Sequence, residues 1–267
     1  MSHIGYFLPL NPAAISDLTP LEHRPNQMKT DVNRPKVLNK VVEGRANCAQ
    51  CPIRSRTLFA CLPDSALDQI RIAIDNVSYP AHATLFKAGT KDNAVFSIRQ
   101  GKIKLVRQLA NGTLRTVRLL RQGDTLGLEA LQNLPYRHSA IAVTEARICR
   151  IPMAVIHTLK QQHPELEQQL IMHMQQQLDT ADQFITEFST GSAEARVARL
   201  LLFLESTSTG VYCELLGREE MASILGITTE TASRIMADFR RRGLVSGVIN
   251  SSFSCHHAQL QQIALDM

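Results

Sequence analysis

The sequence lacks the features that mark several large classes of protein. No apolar run is long enough to span a membrane, and the first residues do not combine a basic segment with an apolar one as a secretory signal does. We therefore expect a cytoplasmic protein with no membrane partner. The chain also has no P-loop, no nucleophile–base pair and no histidine-rich metal set at catalytic spacing, so we do not expect an enzyme.

Charge is another feature that the chain has little of. Charged residues make up 20% of the sequence, and the formal net charge is only +5 over 267 residues. This balance favours anionic partners, but only mildly. With 44% hydrophobic residues, the chain is long enough for two domains that each bury a core.

The stretch from residue 218 to residue 243 predicts two short helices with a tight corner between them. Gly226 gives the corner its backbone freedom, and a hydroxyl of Thr228 or Thr229 can cap the second helix. A β-hairpin wing is expected to begin at Leu244. The pattern is typical of a winged helix-turn-helix.

Three side chains on the outer face of the second helix predict contacts with double-stranded DNA. Glu230 can accept from a cytosine amino group, Arg234 can bind guanine through two nitrogens, and Ser233 can reach a base or a phosphate. Alternatively, this is a solvated face on which Glu230 and Arg234 form an ion pair. Phosphate contacts are predicted for Thr229, Arg218, Arg240, Arg241 and Arg242.

The centre of the chain predicts an antiparallel roll followed by a long helix. From residue 77 to residue 150, short alternating strands are broken by glycines at regular intervals. A helical pattern then runs from Pro152 to about Phe188. Its apolar residues Met174, Leu178, Ala181, Ile185 and Phe188 are spaced 4, 3, 4 and 3 apart, which favours a dimer seam over a helix packed only on its own domain.

This order of elements resembles the CRP/FNR family of bacterial transcription regulators. The motifs that carry the resemblance are Leu85 to Gly89, Ile98 to Lys104, Gly123-Asp124 with Gly127, Ser192 to Arg196, and Glu230 with Ser233 and Arg234. The resemblance implies an α+β chain with a cyclic-nucleotide-binding-like β-roll and its cysteine lead-in at 47–151, a dimerisation helix at 152–190 and a winged helix-turn-helix at 191–267. It also implies a homodimer that recognises TTGAT half-sites in a twofold-symmetric operator and contacts RNA polymerase. Residues 1–46, which contain many Pro and Asn residues and show no sustained periodicity, are expected to be a flexible segment.

The same resemblance bears on the ligand of the roll. In the cAMP-binding branch of the family, a Gly-Glu pair and an Arg-Ser pair hold the nucleotide. Here Leu128 follows Gly127, and His138 precedes Ser139 where the arginine belongs. Leucine accepts no hydrogen bond and a mostly neutral histidine is a poor phosphate ligand, so cAMP is not the expected effector.

The cysteines leave the cofactor open. The FNR branch holds a [4Fe–4S] cluster on four thiolates, and Cys48, Cys51 and Cys149 match three of those positions. The remaining position holds Thr57, and Cys61 follows only after nine residues from Cys51. One alternative is a [4Fe–4S] cluster on Cys48, Cys51, Cys61 and Cys149. A second is zinc or a redox-active thiol centre at the same cysteines, in either a sensor or a metal- or thiol-dependent enzyme. The third is an effector-binding regulator without a cluster.

Overall fold

The computed structural model describes residues 40–48, 50–70, 73–206, 213–214, 216–249 and 252–266. Its strands are β1 (Val41–Arg45), β2 (Asp75–Tyr79), β3 (Thr84–Phe86), β4 (Ala94–Gln100), β5 (Ile103–Gln108), β6 (Leu114–Leu120), β7 (Thr125–Leu126), β8 (Ser139–Ala142), β9 (Ala146–Pro152), β10 (Cys213–Glu214), β11 (Val245–Ile249) and β12 (Ser252–Cys255). Its helices are α1 (Asp64–Ile70), α2 (Met153–Gln162), α3 (Glu165–Phe188), α4 (Ala193–Ser206), α5 (Arg218–Leu225), α6 (Thr229–Arg241) and α7 (His257–Ala264). None of these helices is long and apolar enough to cross a bilayer.

The first nine strands form the predicted antiparallel roll. One sheet has the order β1-β2-β9-β4-β7, and the other has the order β3-β8-β5-β6. Ile98, Ile103 and Leu120 are fully buried in the roll core, as the alternating sequence pattern predicts. Gly101 adopts a φ of +88°, and a Cβ at this position would overlap the carbonyl oxygen of Glu145. The turn after β4 therefore requires glycine.

Strand β1 corrects the expected flexible segment at 1–46. It pairs antiparallel with β2, and Arg45 forms an ion pair of 2.7 Å with Asp75. All five residues of β1 are exposed, and its sequence has no alternating apolar pattern that could have predicted a strand. Residues 5–8, whose sequence also predicts a strand, lie outside the described residues.

The single helix expected from Pro152 to Phe188 is two helices. The helix is interrupted at His163 and Pro164. Proline lacks the amide N–H that a continuous helix needs, and it disfavours the helical conformation of the residue before it. α3 buries Leu166 and Leu170 against the roll. Phe188, expected at the end of the dimer seam, is 2% exposed and packs instead in the core around α4.

The C-terminal part has the predicted winged helix-turn-helix. Helices α5 and α6 pack on α4, and strands β10, β12 and β11 form a three-stranded sheet beside them. Met236, Phe239 and Phe253 are fully buried at the centre of this core. Helix α6 has buried residues at helical spacing. A glycine in the corner before it and Gly243 after it set its boundaries.

Candidate nucleic-acid interface and cysteine pocket

The corner between α5 and α6 fixes the direction in which α6 leaves the domain. Gly226 ends α5 with a φ of +63°, a left-handed conformation that glycine adopts without steric cost. Arg196 of α4 donates to the carbonyl of Leu225 at 2.8 Å, which satisfies one of the carbonyls left free at the helix end. The hydroxyl of Thr228 accepts from the amide of Thr231 at 3.1 Å and caps α6.

The predicted base-contacting side chains share the outer face of α6. Glu230, Ser233 and Arg234 are exposed, whereas Ala232 and Met236 on the opposite face are fully buried. No ion pair joins Glu230 to Arg234 in the part of the chain that the structure describes. Both side chains are therefore available to a partner, as a helix that enters a major groove requires.

Two of the predicted phosphate-contacting arginines are held by carboxylates. Arg241 forms an ion pair with Asp238, and Arg242 lies 3.0 Å from the other oxygen of that carboxylate. Arg242 also lies 2.7 Å from Glu194 of α4, and its guanidinium is 5.8 Å from the centroid of the Phe239 ring. These contacts attach the end of α6 to α4, so much of the charge of both arginines is already compensated.

The other two arginines, Arg218 and Arg240, have no carboxylate partner in the described part of the chain. Burial lowers the pKa of Arg218 from its usual value, and the nearby charge of Arg240 lowers this pKa further. Within the described ranges, neither guanidinium lies within 4.0 Å of a carboxylate. Two uncompensated arginines whose charges influence each other, one at the start of α5 and the other near the end of α6, are suited to an anion such as a DNA phosphate.

Three of the cysteines line one pocket beneath the roll. Cys48 and Cys51 lie in a turn in which the amide of Cys51 donates to the carbonyl of Cys48 at 3.3 Å, and Cys149 reaches the pocket from β9. Thr57 and Arg99 also line the pocket. Cys61 is exposed and does not line the pocket. Its remaining burial raises its pKa, and the charge of Glu165 at the start of α3 adds to the shift.

Two of these thiols, those of Cys48 and Cys149, are kept protonated by their environment. Burial raises the pKa of Cys48 to about 11 and that of Cys149 to about 12, although the Arg99 guanidinium opposes both shifts. No three His, Cys, Asp or Glu side chains converge as a metal-binding group anywhere in the described ranges. With Cys61 outside the pocket, the predicted four-thiolate cluster set does not fit this arrangement of residues.

A buried histidine links the cysteine segment to α3. His173 is 4% exposed, its Nδ1 lies 3.3 Å from the Thr125 hydroxyl of β7, and its ring also hydrogen-bonds the backbone of Thr57. Burial lowers its pKa, so the ring is neutral and can donate to the Thr57 carbonyl while Nδ1 accepts from Thr125. Sequence inspection missed this residue. The available signal was its spacing of three from Leu170, on the face of α3 that packs on the roll.

In the roll, the positions that hold the nucleotide in the cAMP-binding branch of the family make other contacts. His138 is half-buried; burial lowers its pKa, and the nearby charge of Arg118 contributes to the shift. The Ser139 hydroxyl accepts from the amide of Ala88 at 2.9 Å. Leu128, which stands where the family's nucleotide-binding glutamate would be, packs against the roll core. A neutral imidazole among cationic side chains gives no bidentate phosphate contact of the kind that arginine provides.

The outer face of α3 carries apolar side chains that nothing in the described chain covers. Leu178 and Ile185 are 58% and 57% exposed, Met174 is 44% exposed and Ala181 is partly exposed, as a seam requires. Ile171 is 62% exposed and lies three residues before Met174. The predicted seam did not include Ile171, which extends the same exposed apolar face.

Comparison with known proteins agrees with this architecture. The cyclic nucleotide-binding domain family matches residues 76–163, and the Crp-like helix-turn-helix domain family matches residues 195–262. A roll of the first kind joined to a DNA-binding domain of the second defines a transcription regulator. The chain belongs to the CRP/FNR family, a family of DNA-binding regulators rather than of enzymes.

Individual relatives include anaerobic regulators. An "Anaerobic regulatory protein" of Haemophilus influenzae is 27% identical over 207 residues, which are 75% of this chain and 80% of the relative. A "Fumarate and nitrate reduction regulatory protein" of Vibrio cholerae is 26% identical over 82% of this chain and 90% of its own length. Among solved structures, a CRP-family regulator from Thermus thermophilus has a TM-score of 0.61 at 26% identity, over 70% of this chain and 95% of that one.

Proposed function

We propose that the chain acts as a homodimer that binds a twofold-symmetric operator with TTGAT-type half-sites. The observation that carries this proposal is the outer face of α6, where Glu230, Ser233 and Arg234 are exposed together with no ion pair between Glu230 and Arg234 in the described structure. Arg234 would bind guanine and Glu230 a cytosine amino group, with Ser233 between them. Contact with RNA polymerase is part of the same proposal and rests on family membership.

The phosphate contacts are divided unequally among the predicted residues. Arg218 and Arg240 are suited to bind phosphate because their charges lie close together without a compensating carboxylate. Thr229, in the first turn of α6, can add a hydroxyl donor and stands beside the amides at that helix end. Arg241 and Arg242 should contribute less, because DNA would have to compete with Asp238 and Glu194 for them.

The test compares Arg234→Ala with Arg240→Ala on operator variants. Arg234→Ala should cost about 1–3 kcal/mol per half-site and relax the preference at the guanine. Arg240→Ala should weaken all sequences by a similar factor and reduce the salt dependence of binding. Arg241→Ala is the matched control, since it removes an arginine already paired with Asp238. If Arg234→Ala and Arg240→Ala change specific and random DNA equally, α6 does not contact the bases as assigned.

We also propose that the signal is sensed at the cysteine pocket and is of a redox or oxygen type. Three thiols line the pocket, and His173 connects Thr57 at its edge to α3, the helix with the exposed apolar face. Relatives are named for anaerobic regulation. Because Cys61 lies outside the pocket, metal binding or thiol oxidation in the pocket should depend on Cys48, Cys51 and Cys149.

Anaerobic purification followed by an absorption spectrum and by iron, sulfide and zinc assays tests this second proposal. The wild type and the variants Cys149→Ser and Cys61→Ser should be compared, with operator binding measured in each. Any bound metal, and any oxidation-dependent change in operator affinity, should disappear in Cys149→Ser and persist in Cys61→Ser. The reverse pattern would assign the centre to Cys61. A metal-free protein whose operator affinity does not change with oxidants would refute sensing at the pocket and indicate another effector.

A further inference from the structure

A buried ion pair joins the roll to the helix-turn-helix. Lys104 of β5 lies 2.8 Å from Oε1 of Glu220 in α5, and it donates to Oε2 of the same carboxylate at 3.1 Å. The two side chains are only 12% and 10% exposed. His82, whose side chain is mostly in solvent, lies 3.8 Å from Oε2 at the edge of the pair.

A second contact from the same sheet reaches the corner of the helix-turn-helix. The guanidinium of Arg115 in β6 lies against Gly226, so that a Cβ at position 226 would overlap it. Leu119 of β6 is 3% exposed and belongs to the buried apolar cluster that contains Leu225 and Met236. The strands β5 and β6 therefore contact the DNA-binding domain at α5, at the corner between α5 and α6, and through its apolar core.

The energetics of such a pair favour a role in orientation over a role in stability. Removing two charges from water is costly, and their attraction repays the cost only when the geometry is good. An apolar contact such as that of Leu119 tolerates sliding, whereas the Lys104–Glu220 pair is satisfied in one arrangement of the two domains. If either partner is lost, the other charge is left buried without compensation until the domains shift and admit water.

The docked arrangement leaves the DNA-contacting face free. Glu230, Ser233 and Arg234 are all exposed while Glu220 of the preceding helix is buried against the roll. Docking and DNA binding are therefore compatible. A twofold operator also demands that two recognition helices lie about one helical turn of DNA apart, roughly 34–36 Å. A helix-turn-helix that pivots freely on the roll would meet this spacing only part of the time.

We propose that the Lys104–Glu220 pair, together with Arg115 at the corner, fixes the helix-turn-helix on the roll and thereby determines which half-site spacing the dimer accepts. These residues are positioning residues, since they do not touch DNA. The inference rests on the proposed operator binding. Loss of the pair should differ in effect from loss of a base-contacting residue. The pair affects how the two DNA-binding domains of the dimer bind an operator together, and it leaves the affinity of one domain for a single half-site unchanged.

The test measures binding to three duplexes by fluorescence anisotropy: the palindrome, a single half-site, and the palindrome with two base pairs inserted at its centre. Glu220→Gln and Lys104→Met should each weaken palindrome binding by about 5-fold to 150-fold, the range typical of coupling between sites. Single half-site binding should stay within about twofold, because no DNA contact is removed. The penalty for the insertion should shrink, because an unfixed domain can adjust to the new spacing.

Matched variants separate this role from general effects. Glu219→Gln removes a neighbouring exposed carboxylate on the same turn of α5 and should behave as the wild type. The double variant Lys104→Met with Glu220→Gln should lose no more than one of the single variants, because both act through one contact. Thermal melting of each variant confirms that it is folded. Arg115→Ala gives an independent version of the test at the corner.

The outcomes distinguish the inference from the proposed function. If the wild type prefers the palindrome to random DNA but Glu220→Gln behaves like Glu219→Gln, the positioning role is refuted and operator binding stands. Tighter binding by Glu220→Gln would also overturn it, because the pair would then hold the domain away from DNA. If the wild type shows no preference for the palindrome, operator binding itself fails.

Discussion

Replacing Leu178 by aspartate should separate the dimer that operator binding requires. Leu178 is 58% exposed in the single chain and lies at the middle of the apolar face of α3, between Met174 and Ile185. Full burial of a leucine side chain is worth about 1.5–3 kcal/mol, so covering its exposed 58% in a dimer contributes about 1–2 kcal/mol per chain. A twofold interface contains the contact twice, which gives about 2–4 kcal/mol per dimer.

That free energy corresponds to a dimer dissociation constant raised by about 30-fold to 1,000-fold. The aspartate adds to the loss, because two carboxylates would face each other in a desolvated seam. Sedimentation equilibrium over a range of protein concentrations measures the effect, and anisotropy on the palindrome reports its consequence for DNA. Gln183→Asp is the control, since it introduces the same carboxylate on the exposed face of α3 away from the seam.

The dimer proposal is refuted if Leu178→Asp and Gln183→Asp sediment alike. A wild type that stays monomeric at all concentrations would refute it as well. If Leu178→Asp is monomeric yet binds the palindrome as tightly as the wild type, the dimer exists but is not what recognises the operator.

Three further results follow from the structure. A thiol reagent should modify exposed Cys61 much faster than Cys149, whose pKa burial raises to about 12; equal rates would contradict the pocket geometry. Burial lowers the pKa of His173 below that of the unfolded chain, so the unfolded state takes up a proton first: thermal stability should be full above about pH 6.5 and fall as pH drops below it. His173→Gln keeps a donor and an acceptor but cannot titrate, so an unchanged pH profile in this variant would assign the loss to another group. Gly226→Ala should destabilise the chain by about 1–2 kcal/mol in a denaturant titration because of its positive φ. Gly217→Ala, at an ordinary φ with open space around it, loses only the preference of the α5 N-cap for glycine over alanine and should cost about 0.5 kcal/mol; equal losses would contradict the corner geometry.

Local signals explain why the DNA-binding helices could be predicted closely. Gly226 and Thr228 act within a few residues of their own positions, so the sequence contains what sets the corner and the cap. The roles of Arg241 and Arg242 could not be separated in the same way. One partner of Arg242 is Glu194, 48 residues away, and only the folded chain brings the two together.

The cysteine set shows the same limit of sequence spacing. Cys48 and Cys51 are close in the chain, and Cys149 joins them because β9 pairs with β4 and β2. Cys61 is nearer in sequence to Cys51 but is exposed and lies outside the pocket, whose lining includes Thr57. Pro164 could have predicted the break between α2 and α3, since proline interrupts a helix, but the helical patterns on its two sides were interpreted as one continuous helix.

The domain contact could not be predicted at all. Lys104 and Glu220 are separated by 116 residues, and nothing in either local sequence marks its partner. A lysine on an alternating strand and a glutamate in the first turn of a helix are each expected to be solvated. Their burial follows only from how the roll and the helix-turn-helix pack.

The most direct test of the central claim is the affinity of the wild type for a TTGAT-type palindrome and for a scrambled duplex of the same length at one fixed salt concentration. Specific recognition predicts binding to the palindrome about a thousandfold tighter or more, with two chains per duplex at saturation. Equal affinity for both duplexes, or saturation at one chain per palindrome, would contradict the account of a dimer that contacts bases through α6.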